Sequence, residues 1–408
     1  MATDSQIVPT APLHGIDLTV MVPPLPHQAP APVRVAAPRL VDSNGVLAAE
    51  PEAGKVVAGW RNIRDYQVPP RLDSARADLA PERSRLADQA VEIITALQKA
   101  AADGGTSDRG FQRKTLYATT TGEFRVPTNI PTELQAGPFQ PGASYRTIVR
   151  FSNAASAIQP DTEKDQRAVA VRITDDIGRV QDLTFTSGAA GNHARDARQF
   201  NSSMIAAMVM AGGGIGGRVR GLIGLLGREG PRETLRLARA RKAAVDANVS
   251  LAAMPFYSRS PLELGGKLVH LALLPLDGTN PDLVHEARGA RDGLGRDLCQ
   301  RRAAGNVRFR IAAAEAPGLD DMSQGPPGPW ITIGELRLAQ QATSEAEMLG
   351  VAAKVHQELA MQPFNVWTEG ALTPRGELNE ILRLPVYRAS ARNSGRRDDP
   401  PQTPQLLA

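Results

Sequence analysis

Between residues 115 and 190 the chain is a succession of short Thr-, Val- and Phe-rich runs, TLYATTTGEFRV, SYRTIVRFSNA, QRAVAVRITD and VQDLTFTSG, separated by Pro, Gly and Asp turns. Runs of this length, rich in β-branched residues and bounded by turn formers, make strands rather than helices. RAVAVRI is nearly continuous in apolar character on one face, which puts it deep in a barrel or sheet and away from an edge. The core of the fold is therefore expected here. KLVHLALLPL, NVRFRIAAA and WITIGELRL add three strand candidates further on.

Helical periodicity frames these strands. From Pro81 to about Ala102, Leu86, Ala90, Ile94, Leu97 and Ala101 recur at three and four residues, the spacing of an amphipathic helix with one buried face. After Phe200 come SSMIAAMVMA, GGGIGGRVRGLIGLLG and PRETLRLARARKAAVDA, with Pro231 suited to a first helical turn. Ser344 and Glu347 form a capping-box pair that starts a helix over about Glu345 to Met361, and a last helix is expected from Leu378 to Ala391. Residues 1–58 are dense in proline and read as an extended arm, 396–408 as a disordered tail, and 59–395 as the folded domain. With 408 residues, 42% of them hydrophobic, the chain can bury a core without staples.

Several function classes fall away. The 47 Lys and Arg against 43 Asp and Glu leave a formal charge of +4, too mild to demand a nucleic acid or a membrane. Arg218, Arg220, Arg228, Arg232, Arg236, Arg239, Arg241 and Lys242 could meet phosphates or an anionic surface, but aromatics are 4% of the chain and none interleave, which favours a solvated helix face and no nucleic acid. The single Cys299 excludes a disulfide framework and points to a reducing, cytoplasmic setting. The opening MATDSQIVPTAPLHG has neither the basic nor the apolar region of a secretory signal, and no stretch approaches the roughly 18 apolar residues of a membrane span, so a soluble protein is expected. Gly212, Gly214 and Gly217 match G-x-G-x-x-G, yet a helical run precedes them, so a flexible glycine-rich connector is expected. The six histidines show no zinc-ligand spacing.

Three segments together resemble the haem-dependent catalase superfamily, especially its small bacterial members. TIVRFSNA, DQRAVAVRI and QDLTF follow the order of that family's V-R-F-S, D-x-R-G-x-A and W/Q-D-L strands, and ARDARQF matches the R-D-x-x-x-F that comes next. FNVW at 364–367 and LNEILRLPVYRASAR are similar to its F-[DN]-P-W and N-R-x-R-x-x-V-Y-x-A-S. RGFQRK at 109–114 stands where the family has R-x-x-H-x-K. The resemblance covers about residues 105 to 395.

It implies an α+β fold, an antiparallel β-barrel with flanking and C-terminal helices, binding haem b through an axial tyrosinate at Tyr387. Arg383, one helical turn earlier, would favour the phenolate. Arg109 and Arg150 match arginines that pair with haem propionates, and Ser152 matches the serine that orients the distal histidine. At that histidine's position the chain has Gln112. Thr186, Ser187 and Gly188 compete for the distal asparagine's place. Asn192 and His193 fall where a distal phenylalanine would stand, leaving His193 either a compensating distal group or a solvent-facing loop histidine. Glutamine can hydrogen-bond a ligand but cannot exchange a proton with peroxide. Two readings follow: a haem-dependent enzyme acting on an organic hydroperoxide or another oxidised small molecule, with weak or no hydrogen peroxide dismutation, or a non-catalytic haem-binding protein such as a sensor or carrier. A basic interaction module without haem is a third. Small members are often dimers, so a homodimer or higher homo-oligomer is expected.

Overall fold

Seven runs form strands where their pattern predicts them, β1 (Thr115–Arg125), β2 (Ser144–Asn153), β3 (Arg167–Thr174), β4 (Val180–Thr186), β7 (Lys267–Pro275), β8 (Val307–Glu315) and β9 (Ile331–Leu338), and three short strands that the pattern does not predict join them, β5 (Phe256–Tyr257), β6 (Leu262–Leu264) and β10 (Ala371–Pro374). The computed structural model describes residues 57, 59–60, 62, 81–103, 109–155, 158–212, 214–243, 249–276, 280–368 and 370–394. Neighbouring strands are antiparallel in the order β1-β2-β3-β4-β5-β7-β8-β9, and β9 returns to β1, which closes an eight-stranded barrel. β6 and β10 extend from β7 as a side ribbon. The antiparallel barrel with flanking helices is as expected, and β3 lies between β2 and β4, not at an edge. Apart from Val57, which is buried with Trp60 in the core, the Pro-rich arm lies outside the described residues, as does the tail.

Strand alternation sorts side chains to the two sides of the wall. Phe151, Val149, Val169, Val171, Leu183 and Phe185 point inward to the main core. Few as the aromatics are, several concentrate here. Phe151 is 5.9 to 6.4 Å between ring centroids from Tyr117, Phe256 and Phe309, distances at which aromatic pairs add to plain area burial.

The helices pack outside. α1 (Pro81–Asp103) buries Leu86, Ala90 and Ile94, and Leu86 and Ala90 meet Leu378, Ile381 and Leu382. The glycine-rich stretch is not a connector: α2 (Ala197–Gly212) and α3 (Gly214–Ala243) are helices packed on each other. A Cβ at Gly217 would stand 2.6 Å from the Val209 carbonyl oxygen, so glycine is what lets the two backbones approach. Gly230, at φ 75°, interrupts α3, and Pro231 begins its second half. The described members of the basic run, Arg236 apart, are exposed there. α4 is Gly293–Ala304. In α5 (Glu345–Glu358), Ser344 Oγ accepts from the Glu347 N–H at 3.2 Å as the capping box predicts. This helix ends before Met361. The C-terminal element runs as a π-helical segment over Leu378–Arg383 and becomes α-helical in α6 (Leu384–Asn393).

One buried ion pair ties this outer layer to the wall. Asp182 of β4 accepts from Arg172 Nε and Nη2 of β3 at 2.7 Å each, and both side chains are fully buried. The same carboxylate accepts from the Gln362 N–H (2.9 Å) and Asn365 Nδ2 (2.8 Å), and Arg172 Nη2 also donates to the Ala360 carbonyl. Removing one partner of such a pair strands a charge in a dry environment. Arg172→Leu should therefore lower stability by about 3–5 kcal/mol in urea denaturation; a loss under about 1 kcal/mol would refute the role given to the pair.

Glu380, in the π segment, is buried beside Gly376, whose N–H it accepts at 3.3 Å. Burial pushes its carboxyl up to about 7, against weaker downward pulls from the Gly376 N–H, Arg375 and Arg83, and with Glu377 adding to the rise. The folded state thus holds this proton to a higher pH than the unfolded chain. The associated stability is complete below the unfolded value near 4.5 and is lost as pH rises through about 7. Glu380→Gln should leave stability nearly unchanged at pH 5 and raise it by about 2–3 kcal/mol at pH 8 relative to the parent; equal effects at both pH values would contradict this.

Candidate functional site

The outward face of β2, β3 and β4 is a floor of mostly small side chains. Its rungs follow from the register: Ser152 beside Ala168 beside Thr186, Arg150 beside Ala170 beside Thr184, then Ile148 beside Arg172 beside Asp182. Phe151, Val169 and Phe185 alternate with these and fill the barrel interior instead. At the Ile148 end the floor is covered by Ala352, Val355, Leu359 and Met361, from α5 and the segment after it. Ala170, Thr184 and Thr186 stay partly exposed. The Thr186 hydroxyl is buried with no hydrogen-bond partner.

Gln112, Arg150 and Ser152 meet at one end of the floor. The segment from Arg109 leads into β1, and Gln112 adopts φ 55°, a left-handed conformation uncommon for a side chain of this kind. It is pinned there: its carbonyl accepts from Arg150 Nη2 at 2.6 Å, and its N–H donates to Ala154 O at 3.4 Å. Arg150 Nε donates to Thr115 Oγ1 at 2.9 Å, and that hydroxyl also lies 3.2 Å from His356 Nδ1. Thr115 pairs with Ser152 across β1 and β2. Arg109 closes the network by donating to the His356 and Leu359 carbonyls at 2.9 and 2.7 Å, groups that the end of α5 leaves unpaired. Lys114 is buried away from this end and bonds Asp161 and Asp292.

Tyr387 and Arg383 come together one turn apart, as their spacing predicts. The Arg383 guanidinium carbon is 5.8 Å from the Tyr387 ring centroid, and Nη1 donates to Asn379 Oδ1 at 2.9 Å. Phe364 of FNVW meets the tyrosine edge-on, with centroids 6.1 Å apart. Tyr387 is partly buried, and no described residue hydrogen-bonds its hydroxyl. FNVW itself is fastened to QDL: Asp182 holds Asn365, and Gln181 Oε1 accepts from the Trp367 N–H at 3.0 Å. Two segments about 180 residues apart thus form one wall.

Arg383 also borders the floor. With Thr184, Asp182, Pro363, Ser258 and Arg259 it lines a crevice of about 20 Å³, room for a single water. Arg259 was not legible from sequence, being a lone arginine after the two-residue β5. Burial lowers its guanidinium to about 10, and the neighbouring Arg383 charge pushes the same way. Its Nη1 donates to the Ala189 carbonyl at 3.0 Å. Among the described residues no carboxylate pairs with either Arg259 or Arg383. Two uncompensated cations beside one crevice favour an anion there. His356 was likewise missed, since a single histidine on a helix carries no spacing signal.

Asn192 and His193 belong to the loop before α2. Asn192 Oδ1 accepts from the Ala194 N–H at 3.2 Å, and its own N–H donates to Met322 O at 2.7 Å. His193 Nε2 is 3.1 Å from Ser203 Oγ in α2, its ring 5.3 Å from that of Phe200. It is partly buried against this helix. Of the three residues competing for the asparagine position, Ser187 Oγ accepts from the Arg167 N–H at 3.0 Å and Gly188, at φ 106°, turns the chain, which leaves Thr186 facing the floor.

No family's sequence profile matches the chain, and no curated protein is similar to it in sequence. Solved structures are similar in fold. A bacterial catalase shares 16% identity at a TM-score of 0.50 over 76% of this chain and 62% of its own. A fungal catalase shares 15% identity at a TM-score of 0.50 over 92% of this chain and 71% of its own. The chain thus spans about 62% of the bacterial catalase it resembles. At these identities the likeness concerns architecture, and it establishes a catalase-like fold for this barrel and its helices.

Proposed function

We propose that the chain binds haem b through Tyr387 and acts as a catalase-like oxidoreductase on an organic hydroperoxide or another oxidised small molecule, with weak or no hydrogen peroxide dismutation. One observation carries this reading: the Tyr387 hydroxyl is uncommitted to any described residue, while the Arg383 guanidinium, unpaired with any described carboxylate, lies against the same ring. A tyrosine oxygen with no other partner is available as an axial iron ligand, one of the residue types that hold haem iron in proteins.

The residues at the site fit the cofactor. The floor of Ala168, Ala170, Thr184 and Thr186 offers a flat face without bulky side chains, and the partnerless Thr186 hydroxyl lies within it. The 20 Å³ crevice holds no macrocycle, and Ala170, Thr184 and Thr186 are the floor residues left partly exposed to meet one. Its two carboxylates call for compensating charge, which Arg259 supplies beside the floor. Arg109 and Arg150, matched to propionate arginines, direct the donors described above to main-chain carbonyls and Thr115; in this reading Arg150 positions Gln112 and Arg109 holds the end of α5. Haem bound there supplies iron redox chemistry for peroxide O–O cleavage. Gln112 donates a hydrogen bond to a substrate oxygen, held in place by Arg150 and Ala154. Its amide takes up no proton, and this withholds the roughly 10²- to 10⁴-fold help that a positioned base brings.

A second reading, a haem-binding sensor or carrier without turnover, is favoured by the same replacement of a titratable group with Gln112. In both readings the protein works as a homo-oligomer in the cytoplasm, consistent with its single buried Cys299.

The test is the absorption spectrum of haem-replete protein beside Tyr387→Phe, followed by hydrogen peroxide and an alkyl hydroperoxide. The parent should show a ferric Soret band with phenolate charge-transfer features that the variant lacks, and should consume the alkyl hydroperoxide faster. Gln112→His should raise hydrogen peroxide turnover at least about ten-fold. Consumption of neither peroxide by haem-loaded protein selects the sensor or carrier reading. Failure to take up stoichiometric haem would overturn both.

A further inference from the structure

The first half of α3 carries a surface that the haem site does not use. Its orientation is set by two glycines: a Cβ at Gly217 would stand 2.6 Å from the Val209 carbonyl oxygen, and one at Gly221 would stand 2.7 Å from that of Ala206. Both positions therefore face α2. The opposite face is apolar and open. Ile215 is 82% exposed, Val219 51%, Ile223 62% and Leu226 36%. Their spacing of four, four and three residues lines them along one side of the helix. Scattered exposed aliphatics are ordinary, whereas a continuous row of four aliphatic side chains in water marks a surface that something covers.

The charge beside this row indicates what covers it. Arg218 and Arg220, on the two flanks of the row, are exposed, and no acidic residue occurs from Gly214 to Arg228. Glu229, the first acid, is turned inward and lies 3.5 Å from Arg198. We propose that this face of α3 docks on an anionic phospholipid surface, with Ile215, Val219 and Ile223 among the acyl chains and the arginines at the headgroup phosphates. A second copy of the chain is the weaker occupant. A two-fold contact through this face would set two arginine-flanked rows together with no acidic residue from Gly214 to Arg228 to pair with them. The helix would lie on the bilayer: among the described residues no helix is long and apolar enough to cross one. The proposal is independent of haem binding.

The experiment is co-sedimentation of the full chain with phosphatidylcholine vesicles and with vesicles that also contain phosphatidylglycerol, at low and high salt. The protein should pellet with the anionic vesicles only and be released by salt. Ile215→Gln/Ile223→Gln and Arg218→Gln/Arg220→Gln should each weaken partition about ten-fold. These side chains are exposed, so circular dichroism and thermal unfolding should match the parent. Equal binding to neutral vesicles, no binding, or unchanged binding of both variants would overturn the proposal. So would a concentration-dependent dimer in sedimentation equilibrium that the isoleucine variant abolishes without any vesicle binding, which would assign the face to a second copy.

Discussion

The carboxylate of Asp182 is the point at which the barrel wall holds the segment that follows α5. A single buried anion accepts from Arg172 on the next strand, from the backbone of Gln362 and from the side chain of Asn365, while its own N–H donates to the Asn365 carbonyl. A charge removed from water persists only when its lone pairs are filled, and these donors fill them. The segment that α5 delivers to the wall is thereby fastened at residues 360–367. Phe364 is then held against Tyr387, and the C-terminal helix takes its position from that contact and from α1.

Legibility in the sequence followed how local each determinant is. The strands from β1 to β4 could be read because alternation and turn residues are encoded within each run. The start of α5 could be read because Ser344 and Glu347 satisfy backbone groups three residues apart. Its end could not. Met361 fits the helical pattern, but hydrogen bonds to Arg109, Arg172 and Asp182, all distant in sequence, draw the chain out after Glu358. The glycines at 212–217 misled for a related reason. Glycine disfavours an isolated helix, yet Gly217 and Gly221 are what allow α3 to approach α2, and the packing outweighs the propensity.

The candidate site divides in the same way. Tyr387 and Arg383 are one turn apart on one helix, so their proximity is a matter of helical geometry. Arg150 and Ser152 share a strand face by alternation. The partners that complete the site are set by the closure of the barrel: His356 reaches Thr115 across 241 residues, and Arg259 reaches the crevice from a connection beside a two-residue strand. No local pattern distinguishes those two from other surface residues. His193 could be noticed in sequence, but Ser203, which it meets, stands ten residues on along the following helix, at a spacing that no local motif defines.

The π-helical segment at Leu378–Arg383 has a consequence for the direction of the tyrosine. A π segment is in effect an α-helix that has gained one residue, and each residue of an α-helix turns the following side chains by about 100° around the axis. Deletion of one residue between Leu378 and Arg383 would yield a more regular helix, with better internal hydrogen bonding. It would also rotate either the apolar face seated on α1 or the phenol beside Phe364 out of place. The irregularity lets a single rod satisfy two differently phased surfaces, so the bearing of Tyr387 is encoded several residues before the tyrosine itself.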